Sequence, residues 1–442
     1  MDAADHRLRR LAVTWVNHAG ASLVKVVPWS RRQEAISTGV GFSPVSDAFR
    51  ADGVIAADHR CACPDGDLRL HAIAEMVSPL IPAQGWAWAP GERRWRDGCP
   101  YDADQRWFCR RQQEQLQESA VELSAGFELE WAVASTAAHT PAFAGGPYGA
   151  DRLMEGLDYA TALLDALDAA ELDWLQFHPE YATAQFELSL APLPPVAAAD
   201  QAVKTRLVIQ RVCRSLGLRC TFSPKWTLQQ AGNGGHVHFS LRRRGQPLLQ
   251  GGDGPGGLPP AGAQVVAGLL EALPALMPLA CPLSSSYLRL APSSWSAPYQ
   301  IWGVENREAA LRLVPWASDQ QAAHLELKVA DSAANPYLLL GALQAEIRDA
   351  LGGDRPLPEP VQGDPSRLDG STDAYPRLPT SLAEARSAFA ASSVQRAAMG
   401  ELLHGSLLDS MTAEIQRAEG MTPEALLAST RWWPLVGGLT CT

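Results

Sequence analysis

The chain of 442 residues is long enough for two domains, and its 46% hydrophobic and 19% charged residues indicate a soluble globular protein. A formal net charge of −11, with no basic block, argues against nucleic acid as a partner. Eight cysteines without a CxxC pair fit neither a disulfide framework nor a zinc site. Because the N-terminus also lacks an apolar signal core, we expect a cytoplasmic protein with no membrane partner.

The first hundred residues are rich in short strand-like runs and turns. Leu11–Val16 and Ser22–Val27 flank a turn, which predicts a β-hairpin. The first long helical pattern covers residues 105–124. We therefore predict a small β-rich domain in residues 1–103 and a larger domain in residues 104–442.

Strands and helices alternate through the larger domain. Four further helices are predicted at residues 149–170, 200–216, 265–279 and 336–347. The third of them is strongly apolar but contains Glu271, Pro274 and Pro278, which favours a buried, kinked helix over a membrane span. Residues 242–262 predict an exposed loop, and the proline-rich residues 354–380 predict a long surface excursion.

Four short segments carry acids or histidines on one face of a strand and apolar residues on the other. Side chains alternate across a strand with period two. The pairs that share a polar face are Glu128 and Glu130, Gln185 and Glu187, His236 and His238, and Glu326 and Lys328. Four such strands predict a sheet whose polar face lines a channel suited to divalent metals and phosphate.

Carboxylate oxygens are the preferred ligands of Mg²⁺ and Mn²⁺, and Mn²⁺ in particular tolerates imidazole. Two or three such ions could be held by Glu128, Glu130, Glu180, Glu187, Glu326 and His236. The planar side chains that suit phosphate and carboxylate are Arg289, Arg307 and Arg312. A surface edge strand explains a lone Glu-x-Glu more often than a metal does, so the hypothesis depends on the motifs occurring together.

Six motifs follow one another between about residues 85 and 345. They are Gly126-Phe127-Glu128-Leu129-Glu130, His178-Pro179-Glu180 through Glu187, Phe222-Ser223-Pro224-Lys225 with residues 232–241, Ser286-Tyr287-Leu288-Arg289, Asn306-Arg307 through Pro315, and Glu326 through Leu338. In this order they resemble the glutamine synthetase superfamily. The resemblance implies an α+β fold with a small N-terminal β-grasp-like domain and a catalytic domain built on a curved antiparallel sheet with flanking helices. It also implies a dodecamer of two stacked hexameric rings, with each site shared between neighbours.

The resemblance further implies a role for each polar position. One metal ion would be held by Glu130, Glu180 and Glu187, and a second by Glu128, His236 and Glu326. The residues that contact ATP, the co-substrate, would be His238, Ser240, Arg312 and His324. The residues that hold glutamate would be Gly232, His236, Arg289 and Lys328. The catalytic residues would be Arg307, Arg312 and Glu130, in a reaction in which ATP phosphorylates the γ-carboxylate of glutamate and an amine displaces phosphate.

Both acids that hold ammonium in true glutamine synthetases are missing from this chain. The segment from Gly39 to Ser43 has no acid where one is expected, and Trp295 stands where a glutamate follows the carboxylate-binding arginine. Carboxylates concentrate and deprotonate ammonium, whereas an indole covers an organic amine. We therefore expect a primary alkylamine, ethanolamine-like amine or arylamine as substrate and a γ-glutamylamide as product.

The pocket for the organic tail is predicted to contain Trp295, Val40, Phe42, Tyr299 and Trp302, although Trp295 could instead only pack its loop. Polyamines are less favoured because no acid could be assigned to a second ammonium group. Lys328, Ala231 and His324 also depart from the family pattern, so a glutamate analogue stays open as the acid. The open alternatives for the whole protein are a true glutamate–ammonia ligase, a non-catalytic metal- and nucleotide-binding relative, and a metal-dependent hydrolase.

Overall fold

Two β-sheets from successive parts of the sequence organise the structure, a computed structural model that describes residues 8–136, 140–315, 323–368 and 375–434. The N-terminal residues on which the prediction of a missing signal rests lie outside these ranges. The division of the chain at residues 103 and 104 remains a prediction. The predicted α+β class is confirmed, because helices pack against two β-sheets.

The first sheet has six strands. They are β1 (Arg10–Val16), β2 (Ser22–Pro28), β3 (Val40–Phe42), β4 (Leu68–Ala72), β5 (Ser78–Ile81) and β6 (Trp86–Arg94). Their order is β2-β1-β6-β4-β3, with β5 also paired to β6, and the β1–β6 pair is parallel. The antiparallel β1–β2 pair confirms the predicted hairpin. Leu11, Val13, Leu70 and Trp88 are buried and form part of the core.

The second sheet has nine strands. They are β7 (Val121–Ser135), β8 (Trp174–Pro179), β9 (Gln185–Leu190), β10 (Leu218–Thr221), β11 (Val237–Arg243), β12 (Gln246–Pro247), β13 (Tyr299–Val304), β14 (Ala309–Val314) and β15 (His324–Leu327). The order is β13-β14-β15-β11-β7-β9-β8, while β10 pairs with β7 and β12 with β11. All pairs are antiparallel except β13–β14, which is parallel and departs from the predicted purely antiparallel sheet.

Helices pack against both sheets and against one another. Their bounds are α1 (Arg32–Ser37), α2 (Gln105–Glu118), α3 (Ala150–Glu155), α4 (Leu157–Ala169), α5 (Pro195–Ser215), α6 (Pro260–Ala280), α7 (Pro336–Leu351), α8 (Leu382–Ala391), α9 (Ser393–Ala418) and α10 (Pro423–Thr430). The predicted helix over residues 105–124 ends at Glu118 because β7 begins at Val121. The predicted helix over residues 149–170 is divided at Gly156.

Helix α6 is the one helix in the described ranges that is long and apolar enough to cross a membrane. Of its most apolar 18-residue window, 72% is buried inside the protein. The helix packs against α7 and α8, and Pro274 and Pro278 lie inside it. These contacts agree with the predicted buried helix.

The second sheet separates an apolar layer from a polar cavity. Phe127, Leu129, Phe186 and Val237 are buried in the main core, where α2 and α5 pack against β7. The alternating side chains of the same strands face the opposite way. The sheet therefore positions every acid on its polar face through backbone pairing.

Candidate active site

A cavity of about 980 Å³ lies on the polar face of the second sheet. Twelve of the predicted site residues line it: Glu128, Glu130, Glu180, Glu187, Gly232, His236, Arg289, Trp295, Arg307, Arg312, Glu326 and Lys328. Its size is at the upper end of the range for small-molecule sites. The predicted metal, catalytic and glutamate-binding residues are thus brought together in one place.

Strand register brings the acids together from distant parts of the sequence. Glu130 on β7 lies directly opposite Glu187 on β9. Glu326 on β15 lies opposite both His238 on β11 and Arg312 on β14. Residues opposite each other on neighbouring strands have Cβ atoms about 5 Å apart, so these side chains meet.

His236 lies at the centre of the acidic cluster. Its Nδ1 atom is 3.2 Å from Glu128 Oε2 and 3.4 Å from Glu326 Oε1, and its Nε2 atom is 3.8 Å from Glu130 Oε1. The imidazole is only 7% exposed, and Glu326 is 1% exposed. The histidine therefore lies between carboxylates from two strands, β7 and β15, in a buried environment.

Three groups of ligand atoms are close enough to surround a cation. They are Glu128–Glu187–His236, Glu128–His238–Glu326 and His178–Glu180–Glu187, each within 4.8 Å. The predicted grouping differed, because it omitted His178 and His238 and included Glu130, which is in none of the three. Carboxylate oxygens with a minority of imidazole nitrogens fit hard divalent cations.

Crowding changes the acidity of these carboxyl groups. Burial and the neighbouring Glu128 and Glu130 raise the pKa of Glu187 to about 10. Burial and Glu130 raise the pKa of Glu180 to about 7. Burial also acts to raise the pKa of Glu326, but Lys328, His236 and His238 outweigh it and lower the value to about 2. The cluster has more carboxylates than nearby cationic side chains, and a bound metal ion would reduce the repulsion among these carboxylates.

Two glycines allow the chain to pass close to this cluster. A Cβ atom on Gly234 would lie 2.5 Å from His236 Nε2 and 2.8 Å from Glu130 Oε1. A Cβ atom on Gly232 would lie 2.2 Å from the Pro224 carbonyl oxygen. The Gly234 backbone N–H donates to Glu130 Oε2 at 2.8 Å. Glycine at these positions therefore lets backbone approach the site, as expected for Gly232.

The Glu130 carboxylate is also fixed by an amide side chain. Gln185 Nε2 donates to Glu130 Oε2 at 2.7 Å and to the Gly232 carbonyl oxygen at 2.9 Å. Glu130 therefore already has two hydrogen-bond donors within the protein, Gln185 and the Gly234 N–H. These contacts orient the carboxylate before any ligand binds.

The cationic residues occupy different depths. Arg312 Nη1 donates to Glu326 Oε2 at 2.9 Å, and Lys328 Nζ lies 3.6 Å from Glu326 Oε1. Arg307 is exposed at the cavity wall. Arg289 is buried and donates to the carbonyl oxygens of Val329 and Ala330. Arg307 is therefore the most accessible of these cations for a transferred phosphoryl group.

The predicted ATP-binding residues lie on three strands, with His238 and Ser240 on β11, His324 on β15 and Arg312 on β14. His238 Nε2 is 3.3 Å from Glu128 Oε2, and its ring centroid lies 5.1 Å from that of His324. Ser240 lines a separate cavity of about 310 Å³ with Gln113 and Arg242. The structure thus joins His238 and His324 but places Ser240 two residues farther along the strand.

Only one of the predicted amine-pocket residues reaches the large cavity in the same chain. Trp295 lines it and is 56% exposed. Tyr299 and Trp302 are buried, because strand β13 directs Tyr299 toward Ile301 and Val361. Val40 and Phe42 lie in β3 of the first sheet, where Phe42 packs on Trp15. The structure therefore corrects the pocket by removing Tyr299 and Trp302 from its wall.

Three further residues of the cavity were missed from sequence. Tyr148 and Tyr181 line it beside Trp295, and His178 lies 3.8 Å from Glu187. Gln176, His178 and Glu180 alternate along the edge of the sheet, a signal that could have identified His178. Tyr181 directly follows Glu180, but no sequence pattern marks Tyr148.

Comparisons with known proteins agree with this site. The family model "Glutamine synthetase, catalytic domain" matches residues 102–426. A gamma-glutamylpolyamine synthetase of Streptomyces coelicolor is 41% identical over 432 residues, which cover 96% of this chain and 93% of that protein. A gamma-glutamylputrescine synthetase of Escherichia coli is 29% identical over 62% of this chain and 61% of its own length. A crystal structure of a glutamine synthase homolog superposes with a TM-score of 0.85 at 27% identity, covering 96% of this chain and 98% of the other.

Proposed function

The chain belongs to the glutamine synthetase family of ligases, and we propose that it joins the γ-carboxylate of glutamate to a primary organic amine with cleavage of ATP. One observation carries this proposal. Five glutamates, two histidines and three arginines converge on a cavity that Trp295 also lines, at the position where the resemblance to glutamine synthetases implies an acid of the ammonium site. The family supports ATP-dependent γ-glutamyl transfer to an amine, and the tryptophan favours an organic one.

The reaction proceeds in two steps. A γ-carboxylate oxygen of glutamate attacks the terminal phosphorus of ATP, so a P–O bond to ADP breaks and γ-glutamyl phosphate forms. The amine nitrogen then attacks the acyl carbon, and the C–O bond to phosphate breaks. The ammonium form of the amine gives up two protons, one retained on the leaving hydrogen phosphate and one released. Phosphorylation is needed because a free carboxylate has no good leaving group.

Two or three Mg²⁺ or Mn²⁺ ions are the cofactors that the donor groups fit. Glu128, Glu187 and His236 form one ligand group, and His178, Glu180 and Glu187 form another. When bound, such cations neutralise phosphate oxygens and orient them for in-line transfer. Glu130, held by Gln185 and paired across the sheet with Glu187, would supply a further carboxylate beside these groups.

Different residues of the cavity are proposed to contact each substrate. Arg307 and Arg312 are proposed to stabilise the negative charge that spreads over the transferred phosphoryl oxygens. Arg289, Lys328, Gly232 and His236 are proposed to hold glutamate. ATP is proposed to extend toward His238, His324 and Ser240, along the strand that leads out of the acidic cluster.

The proposed class of amine substrates is broader than the class expected from the sequence. Two relatives are named for polyamine and putrescine substrates, although polyamines had been ranked below alkylamines, ethanolamine-like amines and arylamines. Trp295 is accessible to any of these tails. We propose a primary amine with an organic tail, and we include amines with a second ammonium group.

The remaining proposals concern assembly and location. Val40 and Phe42 do not line the cavity of their own chain, so a role in the amine pocket requires that they reach a neighbouring site. We propose a dodecamer of two stacked rings, testable by mass photometry, in the cytoplasm. A stable monomer with full activity would exclude this role for Val40 and Phe42.

The proposed activity is tested with purified protein, Mg²⁺, ATP and glutamate across an amine panel. The panel contains ammonium, n-butylamine, ethanolamine, aniline and a diamine, with phosphate release and product mass as readouts. We expect at least one organic amine to exceed ammonium by about tenfold in kcat/KM, a difference of about 1.4 kcal/mol. Replacing glutamate with a close analogue in the same assay identifies the acid.

Three results would contradict the proposal. Preferred use of ammonium indicates a true glutamine synthetase, and absence of ATP turnover with any amine indicates a non-catalytic relative. Product release without ATP indicates a hydrolase. The Glu130→Gln variant provides the background rate, since it keeps the shape of the side chain and removes its charge.

A further inference from the structure

Three aromatic side chains form a continuous wall of the cavity, which we call the aromatic patch: Tyr148, Tyr181 and Trp295. Tyr181 connects the other two, with ring centroids 6.5 Å from Tyr148 and 5.7 Å from Trp295. The rings are tilted by 65° and 59°, so their faces are not buried against each other. All three residues are between 45% and 61% exposed, although large aromatic residues are usually buried.

The backbone holds two of these rings in an unfavourable conformation. Tyr148 has φ of 54° and Trp295 has φ of 52°, a left-handed region that bulky residues rarely adopt. Ser293 and Ala297, on either side of Trp295, also have positive φ. Strain of this kind persists where the surrounding structure fixes it, and it is concentrated in ligand-binding loops.

A buried acid fixes the Trp295 loop. Glu308 Oε1 accepts a hydrogen bond from the Trp295 backbone N–H at 2.7 Å, and Glu308 is 5% exposed. On the other side of the aromatic patch, the Tyr148 hydroxyl donates to Glu180 Oε1 at 3.3 Å. The patch is therefore anchored at both ends before any ligand enters.

The exposed ring faces are not used by cations of the protein itself. Within the described residues, arginine or lysine lies over eight other aromatic rings, as Arg219 does over Trp432 at 4.2 Å, but over none of these three. The aromatic patch also borders the carboxylates of the cavity, which favour a positively charged ligand. Aromatic faces bind alkylammonium groups without a carboxylate partner.

We propose that the aromatic patch binds the second, non-reacting ammonium group of a diamine or polyamine substrate. This inference rests on the proposed function and specifies its substrate class. It removes the reason for which polyamines had been disfavoured, because three ring faces replace the acid that the sequence did not supply. The reacting amino group then extends from the patch toward the acyl phosphate.

The test compares amines of equal length that differ only at the far end. 1,4-Diaminobutane carries a second ammonium group, n-pentylamine ends in a methyl group, and 4-amino-1-butanol ends in a hydroxyl group. We expect kcat/KM for the diamine to exceed that for both others by about tenfold, the size of one desolvated cation–π contact. Equal rates for diamine and n-pentylamine would overturn the proposal and leave the ligase activity intact.

Variants then locate the effect. Trp295→Leu is expected to raise KM for the diamine about tenfold more than KM for n-pentylamine, with KM for glutamate unchanged. Tyr181→Phe keeps the ring face and is expected to behave as wild type, whereas Tyr181→Leu is expected to lose the diamine preference. Equal effects of Trp295→Leu on both amines would contradict the assignment.

A binding measurement covers the case in which a variant folds poorly. Isothermal titration of 1,4-diaminobutane into the unmodified wild-type protein with ATP and glutamate omitted is expected to give saturable binding that 1-pentanol, which has no ammonium group, does not compete. Competition by 1-pentanol at equal concentration would overturn the proposal. If no amine in the panel releases phosphate, the proposed function and this inference fail together.

Discussion

The acidic cluster and the aromatic patch share one cavity but are built in opposite ways. Four of the five acids stand on β7, β9 and β15, where ladder pairing fixes Glu130 opposite Glu187 and Glu326 opposite His238 of β11. The aromatic residues stand in connecting segments, and two of them have positive φ. Strands position the groups proposed for phosphoryl transfer, and loops position those proposed to select the amine.

This difference indicates how a family can change substrate while keeping its chemistry. A side chain on a central strand cannot move without disturbing its neighbours on both sides. A loop residue such as Trp295 depends on fewer contacts, and its backbone is held by Glu308. Substitutions in the acidic cluster are therefore expected to affect every substrate, whereas those in the loops affect the amine alone.

The largest effect is expected in the acidic cluster. Glu187→Gln removes a ligand shared by two of the three cation-sized groups. We expect kcat to fall by about 10²- to 10³-fold for every amine, the loss typical of one electrostatic group at a reacting phosphate. Phosphate release with saturating substrates measures it.

Glu118→Gln is the matched control, because Glu118 is exposed at the end of α2 and away from the cavity. It is expected to keep the wild-type rate. A Glu187→Gln variant that loses activity with one amine only would erase the distinction between the two regions.

A smaller, amine-specific effect is expected from the residue that holds the loop. Glu308→Ala removes the acceptor of the Trp295 N–H, a hydrogen bond to a charged group worth about 1.5–3 kcal/mol. We expect KM for the preferred amine to rise about tenfold, with KM for ATP and glutamate unchanged. Steady-state kinetics for each substrate separates these values.

Glu359→Ala, at an exposed position, controls for the loss of one negative charge. Thermal unfolding of both variants shows whether Glu308→Ala is folded at the assay temperature. A folded Glu308→Ala variant with equal changes in all three KM values would indicate a general structural role.

Sequence patterns predicted the polar face of the sheet more fully than the loops. Period-two alternation placed Glu128 and Glu130 together, and the structure bears this out because backbone pairing preserves the alternation. The end of helix α2 was misjudged because residues 119–124 continue a helical polarity pattern into β7. Tyr148 could not be found, since nothing local indicates a tyrosine with positive φ. Tyr299 was wrongly expected in the amine pocket, because it packs in a core cluster with Val361, which is distant in the sequence.

An intermediate prediction concerns the nucleotide. Ser240→Ala is expected to raise KM for ATP about threefold, the effect of one neutral hydrogen bond, and to leave KM for the amine unchanged. Ser22→Ala, on strand β2 of the first sheet, is a hydroxyl control outside the Ser240 cavity. An unchanged KM for ATP would remove Ser240 from the nucleotide site.

The smallest effect is a pH dependence of stability in the protein freed of divalent cations. The ordinary pKa of glutamate is 4.5, but Glu180 and Glu187 have values of about 7 and about 10 when folded. Between pH 4.5 and about 10, the folded protein holds protons on these glutamates that the unfolded chain has released. The free energy of unfolding therefore falls as pH rises. We expect Tm to decrease by about 2–4 °C from pH 7 to pH 9, and Mn²⁺ to reverse the decrease.

The Glu187→Gln variant tests which group is responsible. Of the two glutamates, Glu187 has its raised pKa above this window, so the variant is expected to lose most of the decrease between pH 7 and pH 9. Calorimetry with and without Mn²⁺ measures it. An undiminished decrease in the variant would assign the effect to other groups.

A competition assay decides whether the cavity couples ATP cleavage to an organic amine. Equal concentrations of ammonium and 1,4-diaminobutane are supplied together with ATP, glutamate and Mg²⁺, and the products are separated by mass. The arrangement of Trp295 beside the acids predicts at least about ten molecules of the γ-glutamylamide for each molecule of glutamine. A mixture dominated by glutamine would show that the protein uses ammonium even though the acids of the ammonium site are absent. The cavity would then serve as that of a glutamine synthetase.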